Sequence, residues 1–208
     1  MQQTNRSTHW KADIRNILLA ASVAAMALGC GCKRSPDSSD KSIPGTTTGP
    51  TTAAAGSASG MVAYQDKGAH FDYPDTWKPE QDKEYELHLI PASGPANRDI
   101  TFDIPDLPPH FPGMIRLSLI ENGYVKDLKK NHADLHVDNS ADHDVPGGGK
   151  ARLVESSWKE NGSPRSDVGF LIMRKEQVYI FSCDASAKDL PATRADFDKI
   201  IASLRWDK

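Results

Sequence analysis

The chain has few cysteines and lacks the residue patterns of the common enzyme classes. Three cysteines occur in its 208 residues, at Cys30, Cys32 and Cys183. The sequence contains no G-x-S-x-G, H-E-x-x-H or C-x-x-C pattern and no P-loop, so the nucleophile, metal and phosphate sites that these patterns build have no counterpart in it. We therefore expect a protein that is not an enzyme and holds no cofactor.

Dense basic segments and long apolar runs are also missing. Lys and Arg number 25 against 28 Asp and Glu, which gives a net charge of −3 at pH 7. Binding to nucleic acid depends on clustered cations that neutralise phosphates, so we exclude nucleic acid as a partner. The apolar run at residues 17–28 is shorter than the roughly 20 residues that a membrane-spanning helix needs.

This apolar run has the features of a bacterial export signal. Arg6, Lys11 and Arg15 precede it, and small residues lie just before Cys30. The sequence Ala27-Leu28-Gly29-Cys30 resembles the lipobox of bacterial lipoproteins, in which the cysteine is lipidated and becomes the first mature residue. We predict that residues 1–29 are a lipoprotein signal peptide and that Cys30 carries the lipid anchor.

The residue after Cys30 bears on the membrane that holds the anchor. At this position a signal for retention in the inner membrane has an aspartate or a similar residue, whereas this chain has Gly31. We therefore expect a periplasm-facing protein of the cell envelope, and the outer membrane is favoured over the inner one in a bacterium with two membranes.

A low-complexity segment separates Cys30 from the rest of the chain. Between residues 33 and 60, 22 of the 28 residues are Ser, Thr, Gly, Pro or Ala. Such a segment buries too little apolar surface to offset its ordering entropy, so we predict a disordered tether at residues 30–60.

Cleavage after residue 29 removes three basic residues and Asp13, which moves the net charge from −3 to −5. The remaining residues 61–208 suffice for one domain.

The first half of this domain shows the period-2 alternation of strands. We predict strands at residues 62–64 and 69–73 around a turn at 66–68, then half-solvated strands at 84–90 and 99–104. Four prolines between Pro105 and Pro112 then interrupt regular pairing.

Two helices and three further strands follow. Apolar residues at three- and four-residue spacing predict a helix at residues 113–131, although Ile115, Leu117 and Leu119 also alternate as in a strand. Segments 150–158, 167–173 and 177–183 are joined by short turns, which predicts an antiparallel meander. Residues 191–204 carry one apolar stripe, and Thr193 to Asp196 resembles a capping box, so we predict a second helix. The fold class is α+β, with helices on separate faces of the sheet.

Several segments resemble one known family. Phe71-Asp72-Tyr73-Pro74-Asp75-Thr76-Trp77 resembles the F-x-Y-P-x-x-W opening of PsbP-like domains, which include the DcrB-like domains of bacterial lipoproteins. Segments 128–134 and 197–206 and the meander agree with the same family, over nearly all of residues 61–208. The resemblance implies a central antiparallel sheet flanked by helices, a PsbP-like αβα sandwich. It also implies a non-catalytic binding or assembly role with an envelope protein partner.

The proline-rich segment is a candidate contact for that partner. Prolines pre-set the backbone of residues 105–113, and a stiff segment loses less entropy on binding. We take Leu107, His110 and Phe111 as candidate partner contacts. In the alternative, Leu107 and Phe111 cover the edge of the sheet.

A second candidate site lies between the first helix and the meander. His132, His136 and His143 stand among aspartates, and imidazoles with carboxylates are ligands that zinc prefers. The alternative function is therefore a small-ligand or metal-binding periplasmic domain. The same residues also fit a solvated turn before the glycines at 147–149, and we favour that interpretation, with no metal site.

The remaining distinctive side chains are expected in the core. Cys183 lies in the apolar run 178–183, and we favour a buried, inert thiol over a bridge to Cys32. Trp77, Trp158 and Trp206 are predicted to lie in the core or at its rim.

Overall fold

The computed structural model describes residues 60–82, 84–94, 97–105, 116–147 and 149–208, which form ten strands and two helices. In chain order the elements are β1 (Met61–Asp66), β2 (Ala69–Pro74), β3 (Trp77–Glu80), β4 (Leu87–Pro91), β5 (Asp99–Asp103), α1 (Leu117–Asn131), β6 (His136–Asp144), β7 (Lys150–Glu160), β8 (Ser163–Arg174), β9 (Gln177–Ser186), α2 (Leu190–Ala202) and β10 (Arg205–Trp206). Neither of these helices is long and apolar enough to span a bilayer.

The strands form two antiparallel sheets. Seven strands pair in the order β3-β4-β5-β9-β8-β7-β6, and three pair in the order β1-β2-β10. The predicted meander is confirmed as β7, β8 and β9, and each strand is longer than predicted. Asn161 and Gly162, at φ 52° and 80°, form the two-residue turn between β7 and β8, because the type I′ turn of two-residue hairpins has positive φ at both central positions.

The main core lies on one face of the seven-stranded sheet. Alternate residues of its strands point into this core, where the small sheet and α2 cover them. Phe71 from β2, Phe102 from β5 and Phe181 from β9 stack edge-on or tilted, with ring centroids 4.6–5.3 Å apart. Cys183 joins this core as a free, fully buried thiol, and burial raises its pKa well above the ordinary value. Trp77 and Trp158 are buried as predicted.

Helix α1 covers the opposite face of the sheet. Ile120 and Tyr124 pack on Val154, Leu171 and Ile180 in a second, smaller core. The helix is confirmed from Leu117 onward, so the strand alternative for Leu117 and Leu119 is wrong; residues 113–115 lie outside the described part. With helices on both faces, the predicted α+β class, a central antiparallel sheet flanked by helices, is confirmed.

The segment after α1 is a strand, so the prediction of a solvated turn there is wrong. β6 runs from His136 to Asp144 at the edge of the large sheet and pairs with β7. Seven of its nine residues are exposed, because α1 reaches this edge strand mainly through Glu121, which bonds to Ser140, and leaves both of its faces largely uncovered. The hydrophobic alternation that reveals other strands is therefore missing here.

The predicted capping box at the start of α2 is also wrong. The helix begins after Asp189, and Pro191 occupies its first turn. Thr193 therefore lies inside the helix, where its side chain is fully buried and its hydroxyl donates to the carbonyl of Asp189 at 3.1 Å. The apolar stripe of Phe197, Ile200 and Leu204 is buried as predicted.

We predict that Gly169→Ala destabilises the protein by roughly 1–3 kcal/mol, because a Cβ at Gly169 would lie 2.7 Å from the ring of Tyr124. Urea denaturation measures the effect. The matched control is the same change in a Tyr124→Leu background, where the ring is absent and the additional loss should be much smaller. An equal loss in both backgrounds would contradict the contact.

Candidate functional site

The predicted anchor and partner contacts fall outside the described residues. Cys30, with the predicted signal peptide and the predicted tether up to residue 59, belongs to this part of the chain. Leu107, His110 and Phe111 belong to residues 106–115, which join the end of β5 to the start of α1. These assignments stay predictions.

The three histidines of the candidate metal site do not converge. His132 stacks on Trp158 at the end of α1, with ring centroids 4.1 Å apart. His136 and His143 lie seven residues apart on β6, a separation of about 23 Å along an extended strand. Among the residues that the structure describes, no three histidine, cysteine or acidic side chains are grouped so that they could hold a metal ion.

The structure instead places polar side chains on the face of the large sheet that α1 covers in part. Strand register brings Thr101 of β5 beside Ser182 of β9, and brings Asp99, Asp184 and Asp167 into one row across β5, β9 and β8. We call the following six residues the polar strip: Thr101, Tyr124, Arg165, Asp167, Ser182 and Asp184. All except Ser182 are at most 8% exposed.

Tyr124 connects α1 to the polar strip. Its ring lies directly on the backbone of Gly169, and its hydroxyl donates to Oδ1 of Asp167 at 2.5 Å. Burial and the neighbouring Asp167 raise the pKa of Tyr124 well above 10, so the phenol stays a neutral donor. Ser182, which also bonds to Tyr124, exchanges a 2.7 Å hydrogen bond with Thr101, so one hydrogen-bonded chain joins α1, β5, β8 and β9.

Arg165 neutralises part of the acidic row. Its Nε and Nη2 donate to Oδ1 of Asp184 at 3.0 and 2.7 Å, and its Nη1 lies 3.2 Å from Oε2 of Glu160. Like charges directly opposite each other on adjacent strands repel. The guanidinium offsets this repulsion within the row of three aspartates. A charge pair this deeply buried is costly to break.

This arrangement holds elements of the fold together. The hydroxyls and charges of the polar strip bond to one another, and Tyr124 is held in its protonated form. Cys183, the buried thiol, points into the main core on the opposite face. The strip therefore fixes α1 and the central strands in register.

Sequence reasoning missed the polar strip. Five of its residues occupy the second face of β5, β8 and β9, and the half-solvated pattern of residues 99–104 predicted that this face of β5 contacts solvent. A signal for burial was available in the sequence. Arg165 and Asp167 share one face of β8, and an arginine at such a position can neutralise a buried carboxylate.

Comparison with known proteins establishes the fold. Neither a protein-family model nor a curated protein matches the sequence. CyanoP, the cyanobacterial PsbP of Synechocystis sp. PCC 6803, is similar with a TM-score of 0.60 at 13% identity, over 74% of this chain and 96% of CyanoP. LpqN, which is involved in cell envelope biogenesis of Mycobacterium tuberculosis, is similar with a TM-score of 0.52 at 15% identity, over 69% of this chain and 87% of LpqN.

The fold is PsbP-like. The family resemblance of the Phe71 to Trp77 motif is thus matched by a structural similarity that covers almost all of CyanoP. In the PsbP-like domain this motif forms β2 and the start of β3, and it contributes Phe71, Tyr73 and Trp77 to the main core.

One acidic side chain of the PsbP-like domain lies apart from the polar strip. Asp127 is on α1, one turn after Tyr124, and its Oδ1 is buried without a hydrogen-bond partner among the described residues. Burial disfavours the ionised carboxylate and raises the pKa of Asp127 from 3.8 to about 7.

Removing Arg165 should destabilise the PsbP-like domain by roughly 3–5 kcal/mol, because it takes away the cation that pairs with the buried carboxylate of Asp184. We expect Arg165→Met and Asp184→Leu to be less damaging together than the sum of the single changes, as urea denaturation would show. The control is the partly exposed i,i+4 pair Arg194→Met with Asp198→Leu, for which a coupling of about 0.3–0.5 kcal/mol is expected. Additive effects at Arg165 and Asp184 would contradict a coupled buried pair.

Asp127→Asn should remove a pH dependence of stability. Because the folded-state pKa of Asp127 is raised, its contribution is fully present below pH 3.8 and is lost as the pH rises through 7. The variant should therefore melt near the wild-type temperature at pH 4 and above it at pH 8, as followed by circular dichroism. Asp75→Asn, an exposed change, is the control. A constant difference in melting temperature across this range would contradict the assignment.

Proposed function

We propose that this protein is a lipid-anchored lipoprotein of the bacterial cell envelope that binds a partner protein and does not catalyse a reaction. The observation that carries the proposal is the combination of the Ala27-Leu28-Gly29-Cys30 sequence with a PsbP-like domain behind a Ser/Thr/Gly/Pro/Ala-rich segment. The first feature supports export and acylation. The second supports a binding role, as the family resemblance implies.

Two further observations support the envelope location. LpqN, which shares the fold, is involved in cell envelope biogenesis. Gly31 follows the acylated cysteine in the proposed mature protein, which favours the outer membrane. The domain then faces the periplasm, and its role is in assembly or maintenance of the envelope.

The internal pairing of the buried polar residues supports a role without catalysis. Catalytic groups must reach a substrate, whereas Tyr124, Asp167, Arg165 and Asp184 are paired in the interior and at most 8% exposed. We propose that the surface and edges of the domain carry its function.

Replacement of Cys30 tests the anchor. In cells, the wild-type protein should fractionate with membranes, and its mass should correspond to a chain that begins at an acylated Cys30. Cys30→Ala should abolish the acyl mass and the membrane association, whereas the matched control Cys32→Ala should retain both. A Cys30→Ala protein with the same mass modification and membrane fraction as the wild type would contradict the proposal.

A further inference from the structure

The two edges of the seven-stranded sheet differ in their capacity to accept another strand. At one edge, β3 has four residues and contains Pro79, which lacks a backbone N–H. At the other edge, β6 has nine residues without a proline. In the described part of the chain, no strand pairs with the outer edge of β6. The β3 edge is thus blunted, while β6 is regular and open from Asn139 to Asp144, beyond the register shift between Val137 and Asn139.

The register of β6 and β7 identifies the backbone groups that this open edge offers. The amide of Val145 donates to the carbonyl of Gly149 at 3.3 Å, which makes these two residues a hydrogen-bonded pair. Hydrogen-bonded and non-hydrogen-bonded pairs alternate in an antiparallel ladder. Ser140, Asp142 and Asp144 therefore direct their N–H and C=O groups away from β7, toward the open edge.

Side-chain contacts hold this edge in a fixed position. The hydroxyl of Ser140 donates to Glu121 of α1 at 2.6 Å. Arg152 of β7 bridges Glu121 at 3.0 Å and Asp142 at 3.1 Å, and Lys150 lies 2.6 Å from Asp144. An edge held in this way loses little entropy when a further strand is added.

The charge of β6 favours one kind of occupant. Asp138, Asp142 and Asp144 are 45%, 71% and 85% exposed at their side chains. Asp142 and Asp144 each have a β7 cation on one side and face the open edge on the other. A second copy of β6 would place like charges on adjacent strands, which is unfavourable, whereas Lys or Arg on an added strand would complete each row.

We propose that β6 is a docking edge that accepts an extended, basic segment of a partner protein as an eighth strand. The main-chain groups of Ser140, Asp142 and Asp144 supply the hydrogen bonds, and the aspartates select a basic partner. This inference rests on the proposed function, because it specifies how the partner protein binds.

The test uses the purified full-length chain and two synthetic ten-residue peptides. One peptide alternates Lys and Thr, and the matched control alternates Glu and Thr. NMR titration should show binding of the basic peptide at least tenfold tighter than that of the acidic one. Chemical-shift changes and slowed amide exchange should concentrate at Ser140, Asp142 and Asp144.

Two variants separate the edge from general electrostatics. Asp142→Asn with Asp144→Asn should weaken binding of the basic peptide at least fivefold, whereas Asp75→Asn with Asp198→Asn, a charge-matched control at exposed positions away from β6, should leave it unchanged. Ser140→Pro, which removes one outward N–H from an edge strand, should also weaken binding. Thermal melting of each variant verifies that it is folded.

Three results would overturn the proposal. They are equal binding of the two peptides, chemical-shift changes centred outside β6, and self-association through β6 detected by ultracentrifugation. The purified chain needs no lipid for this test, so its outcome is independent of the Cys30 experiment. Failure here with an acylated Cys30 would remove the docking edge and leave the anchored protein.

Discussion

The contact of Tyr124 with Gly169 and Asp167 is the constraint on which the position of α1 depends. The sheet face beneath this helix is only partly apolar, so hydrophobic packing alone does not fix where the helix lies. The ring of Tyr124 needs the bare backbone of Gly169, and its hydroxyl needs the buried carboxylate of Asp167. Both conditions are met at one position and one orientation of α1, because buried polar groups must be satisfied.

The fixed helix in turn organises the edge of the sheet. Glu121, one turn before Tyr124, binds Ser140 of β6 and Arg152 of β7. The interior contact of α1 is thereby linked to the outermost strand, which has little apolar packing of its own. In the functional interpretation proposed above, the paired interior supplies rigidity and the exposed edge supplies recognition.

How much the sequence predicts depends on whether an element buries one face. β5, the meander and α2 carry apolar residues at alternate positions or in a stripe, and hydrophobic periodicity located them all. β6 buries neither face and β3 is short and contains a proline, so neither carries that signal. The polar strip depends on register between strands distant in sequence, which local patterns do not encode. The histidines of the candidate metal site would come together only if their segment formed a helix or a turn. The segment is instead the extended strand β6, which separates His136 from His143.

Native-state hydrogen exchange tests the anchoring of α1 most directly. If Tyr124, Gly169 and Asp167 join the helix to the sheet as one cooperative unit, the slowest amides of residues 120–128 should exchange with the same free energy of opening as those of residues 168–172. A helix whose amides open at a markedly lower free energy, while the amides of β8 stay protected, would contradict this interpretation.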